Sequence, residues 1–145
     1  MPESKGAALE QGTGGDIMVF NDEVSLACWF KSPGGGSGSP RLIEFSNAAG
    51  DYNYSTALAY DTDGSLRAWV TSSTGVRGAQ VDWSAELYND NQWHHVVYTY
   101  SQANGGNLYV DGDLKQTRTD HLTSDIQDAE TFVIGGYYPN GSHGF

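Results

Sequence analysis

No stretch of this chain holds apolar residues at helical spacing for the length of a helix. Instead, 19 glycines and 4 prolines, with turn dipeptides at short intervals, cut the sequence into brief apolar runs, which is the pattern of an all-β chain. The predicted strands are Asp16 to Phe20, Val24 to Lys31, Arg41 to Ser46, Ser55 to Tyr60, Ser65 to Thr71, Val76 to Trp83, Gln92 to Tyr100, Asn107 to Val110, Asp113 to Arg118 and Thr131 to Gly135. Short strands in this number suit two antiparallel sheets packed face to face. Two turns have a chemical cause. Asp63-Gly64 separates ALAYDT from SLRAWV, and Asp111-Gly112 separates LYV from DLKQT; Asp-Gly supplies the positive φ values of a primed two-residue turn. The run Ser32 to Pro40, SPGGGSGSP, reads as a flexible loop between two strands, because ordering Gly and Ser costs so much entropy. No fixed-period repeat supports a propeller or solenoid.

In Val24 to Lys31, one face carries Val24, Leu26, Cys28 and Phe30, while Ala27 and Trp29 make the other face partly apolar, which predicts a central strand. The strand from Gln92 alternates His94, Val96, Tyr98 and Tyr100 against Trp93, His95, Val97 and Thr99, so alternation does not choose its core side.

At 145 residues the chain is one domain. Hydrophobic residues make up 38%, with 4 Trp and 9 Tyr, enough apolar surface for an ordered core despite a net charge of −11. The 7 basic residues stand singly against 18 acidic ones, which excludes the clustered Lys and Arg of a nucleic-acid surface. That balance favours neutral, cationic or metal-bridged partners. Cys28, the single cysteine, closes no internal disulfide and belongs to no CxxC pair. No apolar run reaches the ~20 residues of a membrane span, and MPESKGAALEQGTGGD lacks a signal-peptide core. The chain is thus expected to stay inside the cell or to be a portion of a longer secreted protein.

Three segments carry a family resemblance: AALEQGTGGDIMVFNDEVSLACWFK (Ala7 to Lys31), NDNQWHHVVYTYSQANGGNLYVDGDL (Asn89 to Leu114) and FVIGGYYPNG (Phe132 to Gly141). The middle one is the most specific, with Trp-His-His-Val-Val, a short loop, then Leu-Tyr-Val-Asp-Gly. The chain resembles the laminin G-like domains of the concanavalin A-like jelly-roll superfamily. The resemblance implies a two-sheet jelly-roll sandwich over 16–145 behind a flexible lead-in at 1–15, lacking the usual final strand of the type Gly-x-Ile-Asp-Glu-Val. It also implies a non-catalytic adhesion or carbohydrate-binding module of an extracellular or cell-surface protein, recognising glycan or a protein partner. The absent strand raises an alternative, an assembly module completed by a strand from another chain or by homo-oligomerisation.

The resemblance further implies calcium at the sandwich rim. Asp51, in Gly50-Asp51-Tyr52, stands at the position of the family's first ligand; for the second, Asp120, Asp125 and Asp128 are all open, and Asp120 is carried as the candidate. Asp61-Thr62-Asp63-Gly64 and Asp111-Gly112-Asp113 lack the further acidic positions of an EF-hand and read as turns. His94 and His95 are adjacent on a strand, point to opposite faces and cannot converge on one zinc; His121 and His143 are isolated. A retaining glycosidase needs two carboxylates about 5 Å apart, commonly at alternate strand positions, and Glu44, Glu86 and Glu130 each stand alone. No Gly-x-Ser-x-Gly elbow and no phosphate-cradling Gly loop occurs, so an enzyme is the least favoured class. Aromatic faces stack on sugar rings, making Tyr52, Tyr54, Tyr137 and Tyr138, with Trp83 at a strand end, the candidate glycan groove. Asn53-Tyr54-Ser55 and Asn140-Gly141-Ser142 are glycosylation sequons.

Overall fold

The computed structural model describes residues 7–10, 19–34, 39–47 and 54–136. Its strands are β1 (Ala7–Glu10), β2 (Glu23–Lys31), β3 (Arg41–Ser46), β4 (Ser55–Tyr60), β5 (Leu66–Thr71), β6 (Arg77–Trp83), β7 (Trp93–Ser101), β8 (Gly105–Val110), β9 (Asp113–Arg118) and β10 (Thr131–Gly136). They form a six-stranded sheet in the order β1-β10-β3-β4-β5-β6 and a four-stranded sheet in the order β2-β7-β8-β9, with antiparallel pairing throughout. The two-sheet jelly-roll architecture expected from the sequence is the one observed.

Alternation explains why the sheets face each other. Leu26 and Phe30 of β2, Val96, Tyr98 and Tyr100 of β7, and Leu108 and Val110 of β8 are buried in one core with Leu58 and Tyr60 of β4 and Leu66, Ala68 and Val70 of β5. Residues two apart on a strand share a face, so each sheet contributes one side of its pleat. Burying these side chains is the main favourable term, about 1.5–3 kcal/mol for each large aliphatic or aromatic group.

The six-stranded sheet also has a buried polar layer on its other side. Trp69, with Ala57 and Ala59, forms a second cluster, and the guanidinium carbons of Arg41 and Arg77 lie 4.9 and 4.6 Å from the Trp69 ring centre, within cation–π range. Arg41 Nε is 3.4 Å from Glu44 Oε2, and both residues are buried.

One local reading holds and three are corrected. Asp111-Gly112 is a primed turn, with φ of 53° and 91°. Asp63-Gly64 is not: only Gly64 has positive φ, the Gly64 amide donates to the Asp61 carbonyl at 2.9 Å, and Asp63 Oδ1 accepts from the Ser65 amide at 2.9 Å. The Asp63 side chain stabilises a longer turn that needs one left-handed residue rather than two. Strand β2, expected to be central, pairs with β7 alone among the described residues; its second apolar face is an exposed face and not a second core. Within the expected lead-in 1–15, Ala7–Glu10 forms β1 on β10, which leaves β10 paired on both sides, with β1 and β3.

Ala79, in β6 beside a register shift in the β5–β6 ladder, has φ 46°. Asp120 Oδ2 accepts from its amide at 2.9 Å, and the Tyr98 hydroxyl donates to its carbonyl at 2.8 Å. Removing the Asp120 carboxylate leaves a fully buried amide unpaired, so Asp120→Ala is expected to lose about 1–2 kcal/mol in urea denaturation. A loss that is larger in millimolar calcium than without it would show that the carboxylate also serves a metal.

Candidate binding face

The face of the four-stranded sheet that points away from the core is set by register. Because Leu26, Phe30, Val96, Tyr98, Leu108 and Val110 point inward, the residues between them point out. Three cross-strand rows result: Ser25, Thr99, Asn107 and Thr117; then Ala27, Val97, Tyr109 and Leu114; then Trp29 beside His95. Lys31 and Trp93 form the end pair. Trp29 is 64% exposed, Trp93 63% and Leu114 54%. Two indoles left in water on adjacent strands are a costly arrangement for a core-forming residue type, and such patches mark binding surfaces.

Trp29 is held in place. Its ring centre is 5.0 Å from that of His95, with the planes 32° apart, so the indole is partly oriented before any ligand arrives. Around the β2 edge, a groove of about 230 Å³ opens between the sheets, lined by Cys28, Trp29, Phe30, Leu42, Trp93 and Ile134 among others. Burial pushes the Cys28 thiol up to about 11, which keeps it protonated and a poor nucleophile at neutral pH.

On the other side of β7, His94 braces this end of the sheet. Nδ1 lies 2.8 Å from Asp111 Oδ2 and Nε2 lies 3.1 Å from Asp90 Oδ1. Carboxylates only accept, so both contacts are satisfied together only by the imidazolium. Burial of the ring opposes its charge, but Asp111 and Asp90 outweigh it and hold its pKa above the ordinary 6.5. The brace ties the segment before β7 to the β8–β9 turn. A raised pKa in the folded state means that this stabilisation is full below pH 6.5 and is lost as pH rises through the folded-state value. Wild-type protein is therefore expected to lose stability in urea titrations as pH rises above 6.5, and His94→Asn is expected to lose much less; parallel pH profiles would contradict the brace.

Of the candidate residues from the sequence, Trp83, Tyr54 and Asp120 are among the described ones. Trp83 ends β6 opposite Leu66 and packs, partly buried, against the core. Tyr54 precedes β4, and its ring lies 3.1 Å from the place a Cβ on Gly75 would occupy, beyond the Thr71 end of β5. Since β5 runs from Leu66 to Thr71, about 17 Å of strand, these two aromatics sit at opposite ends and do not line one groove. Asp51, Tyr52, Tyr137 and Tyr138 lie outside the described residues. Asp120 has both oxygens engaged, by Ala79 and by Arg118 Nε at 2.9 Å; burial raises its pKa and these contacts lower it further, for a net downward shift. No group of three His, Cys, Asp or Glu side chains that could hold a metal occurs among the described residues. Glu86 is matched to Lys115 at 2.9 Å and to the Tyr88 hydroxyl at 2.7 Å, and Glu44 to Arg41, which gives both carboxylates structural work. Alternation within β2 or β7 alone does not identify Trp29 and Trp93 as outward-facing; the register between the two strands does. The signal was present: once Leu26, Cys28 and Phe30 are assigned to the core, Trp29 must point out.

Comparison with known proteins agrees with this architecture. A laminin G-type family, described as the concanavalin A-like lectin/glucanases superfamily, matches residues 6–145. No curated protein matches significantly by sequence. Among solved structures, the Ruminococcus gnavus IT-sialidase CBM40 bound to α2,6 sialyllactose superposes with a TM-score of 0.68 at 16% identity, covering 99% of this chain and 84% of that one. Domains LG4-5 of the mouse laminin α1 chain give 0.67 at 14% identity, covering 99% of this chain, which spans 37% of that one. The binding domain of botulinum neurotoxin serotype G gives 0.64 at 12% identity, covering 88% of this chain and 31% of that one. At such identities the likeness is one of fold. With the family matched over nearly its whole length and the two-sheet sandwich in place, the chain belongs to the laminin G-like domains of the concanavalin A-like superfamily.

Proposed function

We propose that the chain is a non-catalytic glycan-binding module of an extracellular or cell-surface protein, and that its contact surface is the outer face of the four-stranded sheet. The observation that carries this reading is the pair of exposed indoles, Trp29 and Trp93, on neighbouring strands. Indole faces stack on sugar rings and keep a donor at their edge. Support also comes from the neighbours, one of which is a carbohydrate-binding module bound to sialyllactose, and from the paired state of Glu44 and Glu86, which leaves neither free for acid–base work. The test is a glycan array followed by calorimetry on Trp29→Ala and Trp93→Ala. Each variant is expected to lose at least about 10-fold in affinity with an unchanged melting temperature, since both side chains are exposed. Unchanged binding in both variants overturns the placement; if Tyr52→Ala or Tyr137→Ala abolishes binding instead, the site lies at those loop tyrosines.

A second reading, assembly by strand addition, is favoured by the β2 edge, which has no partner strand among the described residues and borders the apolar groove. An added strand would pair with the nine-residue β2 and set alternate side chains into that groove. Light scattering separates the two readings: a concentration-dependent oligomer without glycan affinity supports assembly. Calcium support through Asp51 and Asp120 is a further proposal. A rise in melting temperature at millimolar calcium that Asp51→Ala removes supports it, and no rise overturns it.

A further inference from the structure

The charge pattern of the outer face defines the class of glycan. The protein carries 18 acidic and 7 basic side chains, yet none of them falls in the three central rows. Glu23 and Lys31, the two ends of β2, bound the face. A surface kept free of charge in a chain of net −11 does not attract an anionic ligand and does not pair a cationic one. It does suit a ligand with apolar ring faces and many hydroxyls, because its rows differ in kind. The aromatic row offers Trp29. The middle row, Ala27, Val97, Tyr109 and Leu114, spans all four strands. The third row is entirely hydroxyl and carboxamide. There, Thr117 Oγ1 donates to Asn107 Oδ1 at 2.7 Å, which occupies the carboxamide oxygen and leaves its NH2 group as a donor.

We propose that this face binds an uncharged, extended glycan laid across the strands, its ring faces on Trp29 and Tyr109 and its hydroxyls on Asn107, Thr99 and Ser25, with Lys31 and Trp93 in the row beyond. The inference rests on the placement of the glycan site at this face and adds the ligand's charge and direction. A glycan crossing four strands covers about 15 Å, the length of a short oligosaccharide rather than one terminal sugar. Specificity for a neutral chain is then set by desolvation. An acidic sugar placed on rows without a cation loses hydration with no counter-charge to replace it, while the surrounding carboxylates repel it at low salt.

The experiment measures binding by calorimetry to neutral gluco- and manno-oligosaccharides of two to six units, to α2,6 sialyllactose and to oligogalacturonate, at low and high sodium chloride. Expected are binding to a neutral series that strengthens with length up to the span of the face, little change with salt, and no binding of the two acidic probes. Asn107→Ala is expected to weaken the neutral ligand about 3- to 10-fold, and Thr99→Glu to weaken it further by placing a charge in the row. If an acidic probe binds and Trp29→Ala abolishes that binding, the face is a glycan site but the neutral class is wrong. If a neutral glycan binds with no dependence on length or on Asn107, the crossing direction is wrong. If none of the probes binds and the protein self-associates through Trp29 and Trp93, both this inference and the glycan reading fail, and the face joins two copies of the chain.

Discussion

Gly105→Ala is expected to cost about 3 to 5 kcal/mol and to disturb the β8–β9 pairing. Gly105 opens β8 with φ +77°, and a Cβ built on it lies 2.0 Å from the Arg118 carbonyl oxygen and 3.0 Å from Thr119 Cα. Both neighbours are main chain at the end of β9, so neither can swing aside as a side-chain tip would. Relief requires moving a strand end, and β8 is held by β7 on its other side through Ser101↔Gly105 and Tyr100↔Gly106. Gly112 is the internal control. It also has positive φ, +91°, but nothing lies within 4 Å of its Cβ position, so Gly112→Ala is expected to lose only the conformational term, about 1–2 kcal/mol. Urea denaturation of both variants measures the difference. Equal losses would mean that backbone conformation, and not the close approach of β9, makes Gly105 necessary.

Arg41→Met is expected to destabilise the fold by about 3–5 kcal/mol at pH 7. Arg41 and Glu44 are 7% and 3% exposed. Burial pushes the Glu44 carboxyl above its ordinary value, against the opposing pull of Arg41, Ser55 and Arg77. Without the Arg41 guanidinium, Glu44 keeps its desolvation and loses its nearest counter-charge. An acid whose folded-state pKa is raised stabilises the fold most when protonated, so the defect is expected to be greatest at neutral pH and to shrink as pH falls toward 4.5, its ordinary value. The double variant Arg41→Met with Glu44→Leu removes the stranded charge and is expected to recover most of the loss. A defect that is equal at pH 5 and pH 7, or that persists in the double variant, would locate the role of Arg41 in its contact with Trp69 at 4.9 Å.

The two Asp-Gly turns differ in how far they could be read from residues. The Asp111-Gly112 turn was legible because both of its left-handed residues are specified locally by the dipeptide. Asp63-Gly64 looked the same and folded differently, because the Ser65 amide and hydroxyl captured the Asp63 carboxylate. The separation of His94 from His95 was also legible, being a property of any strand. That His94 stands between two carboxylates was not, since Asp90 precedes β7 and Asp111 follows β8.

Of the candidate site residues, Asp51, Tyr52, Tyr137 and Tyr138 lie outside the described residues. Aromatic side chains were the expected handle for a glycan; Trp83 and Tyr54 sit at opposite ends of β5, and of the strands that carry the exposed indoles, β2 was expected to be central while alternation left the core side of β7 open. Composition, turn dipeptides and the absence of helical spacing determined by themselves that this chain is an antiparallel sandwich, because strand period and turn conformation are short-range properties. The family motifs added its jelly-roll type. Which apolar face meets water, which strand is left at an edge and which carboxylate meets a cation were decided only by tertiary structure, because each depends on register between segments tens of residues apart.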